Sequence, residues 1–195
     1  MSRLDSPARP SYTIPMSILK TSKLGNPILR QVAKEVSLSE LKSPAIRKLI
    51  DDMVETMHEY EGVGLAAPQV HESRQIAVIE VENSKRYPWA PNIPLLVLVN
   101  PVFISKSEET QEDWEGCLSV EGLRGVVPRS KQVSIRFLDQ LGKEQKLEAE
   151  DFFATVIQHE LDHLAGKVFL DRMRDLSTLT HLKEYERYWI KSNER

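Results

Sequence analysis

Only one cysteine, Cys117, stands in 195 residues, so no disulfide can form within the chain. The thiol is then either a buried apolar filler or a chemically used group, and the compartment is expected to be reducing. Long apolar runs are also missing. The richest stretch, Leu95 to Ile104, is broken by Asn100 and Pro101 and falls short of the roughly 18 residues that a membrane-spanning helix needs. Charge of one sign is not in excess either, since 26 Lys and Arg face 29 Asp and Glu for a formal net charge of -3. That balance argues against a surface that binds nucleic acid along the whole sequence or reads its bases. Repeats, low-complexity tracts and long linkers are absent too, which leaves one domain of ordinary size with a sizeable core.

What is present begins with an arm. Residues 1–15 carry three Pro, three Ser and two Arg without an apolar stretch, and are expected to be poorly ordered rather than a secretory signal. Asp5 and the shortness of the segment weigh against an organellar transit peptide. From Ser43 to Tyr60, Ile46, Leu49, Ile50, Met53 and Met57 recur at three- and four-residue steps. They predict an amphipathic helix with Ser43 as N-cap and Pro44 in the first turn. The period then changes. Gln75–Glu82, Leu95–Phe103, Gln132–Asp139 and Lys143–Glu150 are short and β-branched or alternating, and predict strands. Helical spacing returns over Phe152–Leu164, ended by Gly166, and again over Leu176–Ile190. The expected fold is α+β: mostly antiparallel strands packed around a central helix, with one helix in the N-terminal half and one at the C terminus.

The central helix carries the chemistry. His159 and His163 in His159-Glu160-Leu161-Asp162-His163 are four residues apart and lie on one helix face, where they can bind one metal ion together. Glu160 is placed to act as general base and then general acid toward a water activated by that ion. An open catalytic metal site needs a third protein ligand. An extended His-Glu-x-x-His pattern with a third histidine fails, because Gly166 is in place but Phe169 stands where the histidine should be. Two candidates remain open: Glu184, 21 residues beyond His163, and Cys117, whose thiolate suits Zn or Fe(II). With Glu184 the protein would be a metallopeptidase.

Two further segments are compact in side-chain bulk. In Trp114-Glu-Gly-Cys-Leu-Ser-Val120, read as a loop, Gly116 permits close backbone approach and the peptide N–H after Cys117 can face a ligand. In Gly62-Val-Gly-Leu-Ala-Ala-Pro-Gln-Val70, glycines and alanines let something come near the backbone, and Gln69 can donate its amide N–H to an oxyanion. No Lys-Ser/Thr pair follows the glycines, so a phosphate loop is disfavoured.

Together, Gly62-Val-Gly-Leu-Ala-Ala-Pro-Gln69, Glu115-Gly-Cys-Leu-Ser119 and Gln158-His-Glu-Leu-Asp-His163 resemble, in order, the three signature motifs of the peptide deformylase family. Gly25-Asn-Pro-Ile-Leu-Arg30 resembles that family's opening segment, and the likeness runs from about Ile18 to Arg174. The resemblance implies a catalytic domain over residues 16–195 that hydrolyses the N-formyl group of formyl-methionine on newly made polypeptides, releasing formate. It implies metal ligation by Cys117, His159 and His163, with Fe(II) as the native ion and Zn or Ni as substitutes. Glu160 would shuttle the proton, while Gln69 and the Leu118 N–H would hold the oxyanion. Gly64 and Gly116 would line the extended peptide, and Val63, Leu65, Val156, Ile157 and His159 would wall the methionine pocket. Arg124 would lie further along the substrate. A cytoplasmic location follows, and ribosome contact is expected through the basic residues Lys183, Arg187, Lys191 and Arg195. Glu121 and His71 depart from the family pattern without touching a ligand position.

Overall fold

The computed structural model describes residues 17–84 and 86–190, so the arm expected at residues 1–15 lies outside the described residues. Helices α1 (Leu38–Leu41) and α2 (Pro44–Glu59) precede strands β1 (Gly64–Ala66), β2 (Ile76–Val81) and β3 (Ile93–Lys106). Then follow β4 (Thr110–Cys117), β5 (Val120–Ser130), β6 (Gln132–Leu138) and β7 (Glu144–Glu150), and after them α3 (Asp151–Leu164), β8 (Thr180–His181) and α4 (Leu182–Tyr188). A 3-10 turn, Ala67–Val70, follows β1 directly. The fold is α+β with antiparallel sheets, ordered β1-β2-β3-β6-β7 in the larger and β4-β5-β8 in the smaller.

Local chemistry explains where α2 begins. Ser43 Oγ accepts from the Ile46 N–H at 3.3 Å, and Pro44, which has no N–H to lose, takes the first helical position. The apolar stripe Ile46, Ile50, Met53, Val54 and Met57 is buried. It faces Leu65, Ile76, Val78, Val97 and Val99 on one side of the larger sheet. The alternate residues Ala66, Ala77, Ile79, Val81 and Leu98 turn to the opposite side, where Val156, Ile157 and Leu161 of α3 cover them. Both faces of β2 are therefore buried, which is why it reads as an almost unbroken apolar run.

On its other flank α3 meets the smaller sheet, where Cys117, Val120, Val127, Val168 and Phe169 form a third cluster. The helix stops at Gly166, whose φ of +72° completes the C-terminal turn. A Cβ there would lie 2.8 Å from the Arg30 carbonyl oxygen, so the position needs glycine for space as well as for conformation.

The C-terminal helix departs from expectation. Its periodicity spans Leu176–Ile190, but α4 is confined to Leu182–Tyr188 and buries none of its side chains. Residues 180 and 181 are diverted into β8 by pairing with β5, and Leu176 is 66% exposed. Cys117 likewise ends strand β4 rather than lying in a loop. No helix among the described residues is long and apolar enough to cross a membrane.

Candidate active site

Three elements meet at one place. Strand β4 delivers Cys117, the 3-10 turn after β1 delivers Gln69, and α3 delivers His159, Glu160 and His163. The β4–β5 hairpin turns through Leu118 and Ser119 alone, because Cys117 pairs directly with Val120. That tight turn holds the sulfur against α3, with Cys117 Sγ 3.2 Å from His163 Nε2. One donor atom from each of Cys117, His159 and His163 lies within 4.8 Å of the others.

The donor set fits a divalent transition metal. Zn or Fe(II) takes thiolate and imidazole together, and a sulfur and a nitrogen on one tetrahedral ion stand roughly 3.5 Å apart. Burial alone would raise the Cys117 thiol, but His163 and His159 beside it outweigh that and hold it well below its ordinary value. The thiolate form that a metal needs is thus the favoured one. His159 Nδ1–H donates to the Glu115 Oε2 carboxylate at 2.7 Å, which fixes the ring and leaves its other nitrogen for a ligand role.

Behind the histidines runs a buried chain of charges. Glu115 also receives Arg129 Nε at 2.6 Å and Nη2 at 3.0 Å, and Arg129 Nη1 reaches Asp162 Oδ2 at 2.5 Å. Arg172 closes the far side of Asp162. Burial opposes ionisation of Glu115, yet Arg129 and His159 prevail and its carboxyl stays below the usual range.

Glu160 is different. Burial pushes its carboxyl up to about 7, and Oε2 makes no hydrogen bond within the described residues. Gly64 explains how it fits, because a methyl at that position would land on Glu160 Oε1 and 2.8 Å from Cδ. Gln69 is 2% exposed and oriented: its Oε1 accepts from the Ala66 N–H at 2.8 Å, which aims Nε2 at Cys117 Sγ, 3.4 Å away.

The pocket in front of these groups is lined by Val63, Gly64, Gly116, Leu118 and Val156 as well as by the residues above. Leu65 and Ile157, expected in its wall, are instead in the core. Leu65 alternates away from Gly64 onto the α2 side of the sheet, and Ile157 sits one step round α3 from Val156 and faces the strands. Arg124 lies against Gly116, where an added Cβ would strike its guanidinium. Glu184 is exposed on α4 and stands outside the Cys117 group, so the metallopeptidase ligand set is not assembled. Glu121 is exposed and paired with Lys23 at 2.9 Å, and His71 is exposed beside Asn26. Arg86, Tyr87, Trp114, Phe152 and Thr155, to which no sequence motif assigns a site role, also line the pocket. Glu115 could have been suspected from its place two residues before Cys117.

The family model for polypeptide deformylase matches residues 18–178. Peptide deformylase 1 of Bordetella pertussis is 46% identical over 155 residues, which cover 80% of this chain and 87% of that protein. Peptide deformylase 2 of a Nostoc species is 41% identical over 170 residues, covering 87% and 93%. A class I type b peptide deformylase from Acinetobacter baumannii with Met-Ala-Ser bound superposes with a TM-score of 0.78 at 39% identity, covering 80% of this chain and 99% of that one. The peptide deformylase of Thermotoga maritima gives 0.73 at 33% identity, covering 82% and 99%. Fold and likeness define a hydrolase. The chain belongs to the polypeptide deformylase family.

Proposed function

We propose that the chain removes the formyl group from N-terminal formyl-methionine of newly made polypeptides in the cytoplasm, yielding formate and a free amine. The observation that carries this reading is the convergence of Cys117, His159 and His163 beside the buried Glu160 carboxylate. Bound there, a divalent ion, Fe(II) natively and Zn or Ni in its place, would polarise the formyl carbonyl and ease deprotonation of water. The central helix α3 is in this reading the metal-binding helix of a catalytic domain spanning residues 16–195.

The chain's own groups do the rest. Glu160 takes a proton from the attacking water and returns it to the departing nitrogen as the formyl C–N bond breaks, so that the water's oxygen ends in formate. Gln69, held by the Ala66 N–H, and the backbone N–H of Leu118 in its two-residue turn are donors for the oxyanion. Strand β1 is an edge strand whose far side is unpaired by any neighbouring strand among the described residues, so Gly64 offers backbone bonds to an extended peptide. Val63, Val156 and His159 then flank the methionine side chain, and Gly116 and Arg124 follow further along. Ribosome contact through the C-terminal segment belongs to the same reading, and deletion of residues 176–195 should weaken pelleting with ribosomes.

The deciding experiment is anaerobic formate release from formyl-Met-Ala-Ser by Fe(II)-loaded protein beside Glu160→Ala. Turnover by the wild type, with orders of magnitude less from a variant that keeps its metal, supports the reading. Metal without formate from either protein would overturn it.

A further inference from the structure

The pocket opens in one direction. Cys117, Glu160 and Gln69 close its inner end and are buried, whereas Arg86 is exposed and Gly62, Tyr87 and Trp114 are half-buried. Trp114 stands on β4 three residues before Cys117. Tyr185 and Trp189 pack against its indole with ring centroids at 4.9 and 5.2 Å. Helix α4 has seven residues and buries no side chain, and a helix that short does not hold by itself in water. Its placement comes from these rings and from β8, which pairs Thr180 with Arg124 and His181 with Leu123. Thr178 Oγ1 adds an anchor by accepting from the Val126 N–H at 3.1 Å. The attachments of the C-terminal segment therefore cluster on the strands that carry Trp114 and Arg124.

We propose that Tyr185 and Trp189 are positioning residues for the stretch of a formylated peptide beyond its methionine, acting by holding the Trp114 indole at the pocket opening. The inference rests on the deformylase reading of the site. A polypeptide whose formyl end lies by Glu160 is too long to be enclosed, so its following residues pass Trp114 as they leave. A flat indole, fixed in place, gives them apolar contact at little entropic cost. Released from its two aromatic neighbours, the same side chain would have to be ordered by the substrate itself. The reacting atoms are untouched, so the effect falls on KM for longer peptides and not on kcat.

The test compares the full-length, metal-loaded wild type with a Tyr185→Ala/Trp189→Ala pair and a Tyr185→Phe/Trp189→Phe pair. Substrates are formyl-Met-Ala and formyl-Met-Ala-Ser-Ala, and calorimetry reads the affinity of unformylated Met-Ala-Ser. The alanine pair should raise KM for the longer substrate on the order of fivefold relative to the shorter and weaken Met-Ala-Ser by a similar factor, and the phenylalanine pair should restore most of both. An equal loss on both substrates through kcat would overturn the proposal, as would an unchanged KM ratio with unchanged Met-Ala-Ser affinity. Failure of the wild type to release formate from either peptide would instead overturn the deformylase reading, and the calorimetric comparison would still decide the role of the aromatic pair.

Discussion

Arg129 is 5% exposed and holds two carboxylates at once, Glu115 on one side and Asp162 on the other. Removing one member of a buried ionic cluster leaves the others charged and without compensation, which costs about 3–5 kcal/mol. Arg129→Met should therefore lower the unfolding free energy read from urea titration by an amount of that order, and with it loosen the His159 ring that leans on Glu115. Glu115→Gln keeps the side chain's shape while weakening the bond that orients His159; a loss of roughly tenfold to a hundredfold in metal affinity is expected by competition with a chelator. Gly64→Ala is a third residue-scale case. The added methyl must displace the Glu160 carboxyl, so circular dichroism should stay native while formate release falls at least tenfold.

At the scale of elements, short-range chemistry was the legible part. The α2 cap depends on Ser43 and Pro44 alone, and the i, i+4 spacing on α3 needs only the helix period to bring His159 and His163 together. The β4–β5 hairpin was hidden because Thr-Gln-Glu-Asp-Trp-Glu-Gly has no strand pattern and β5 carries two glycines and a proline. Its pairing is supplied by the fold, not by propensity. The aromatic rim of the pocket was hidden for the same reason, since Tyr87, Trp114 and Phe152 converge from the β2–β3 connection, β4 and α3. Helix α1 offers a prediction at this scale. Glu40 reaches back to the Ser37 N–H at 2.9 Å and pairs with Arg74 at 2.6 Å, and the Ser37 bonds hold its carboxyl below the ordinary value of 4.5. A depressed folded pKa contributes stability above the unfolded pKa that is lost as pH falls through the folded one. Wild type should thus exceed Glu40→Gln in urea midpoint at about pH 7, and the gap should close on acidification below about pH 4.

At the scale of the molecule, the larger sheet is sandwiched between α2 and α3, and α3 is itself covered by the smaller sheet. The Cys117–His163 contact joins the smaller sheet to α3 across 46 positions of sequence. A chain with one cysteine has no means of cross-linking itself by oxidation, yet an ion held jointly by the β4 hairpin and α3 would tie those distant segments as a reversible staple. Closing a loop of that length restrains the unfolded chain by about 4 kcal/mol on a chain-entropy estimate. The expected result is a protein whose melting temperature drops by roughly 10 °C on chelation, and by a similar amount in Cys117→Ser with no further loss when chelator is added. Scanning calorimetry with and without metal would read this directly, and it would make the lone thiol a structural fastener as much as a ligand of the active site.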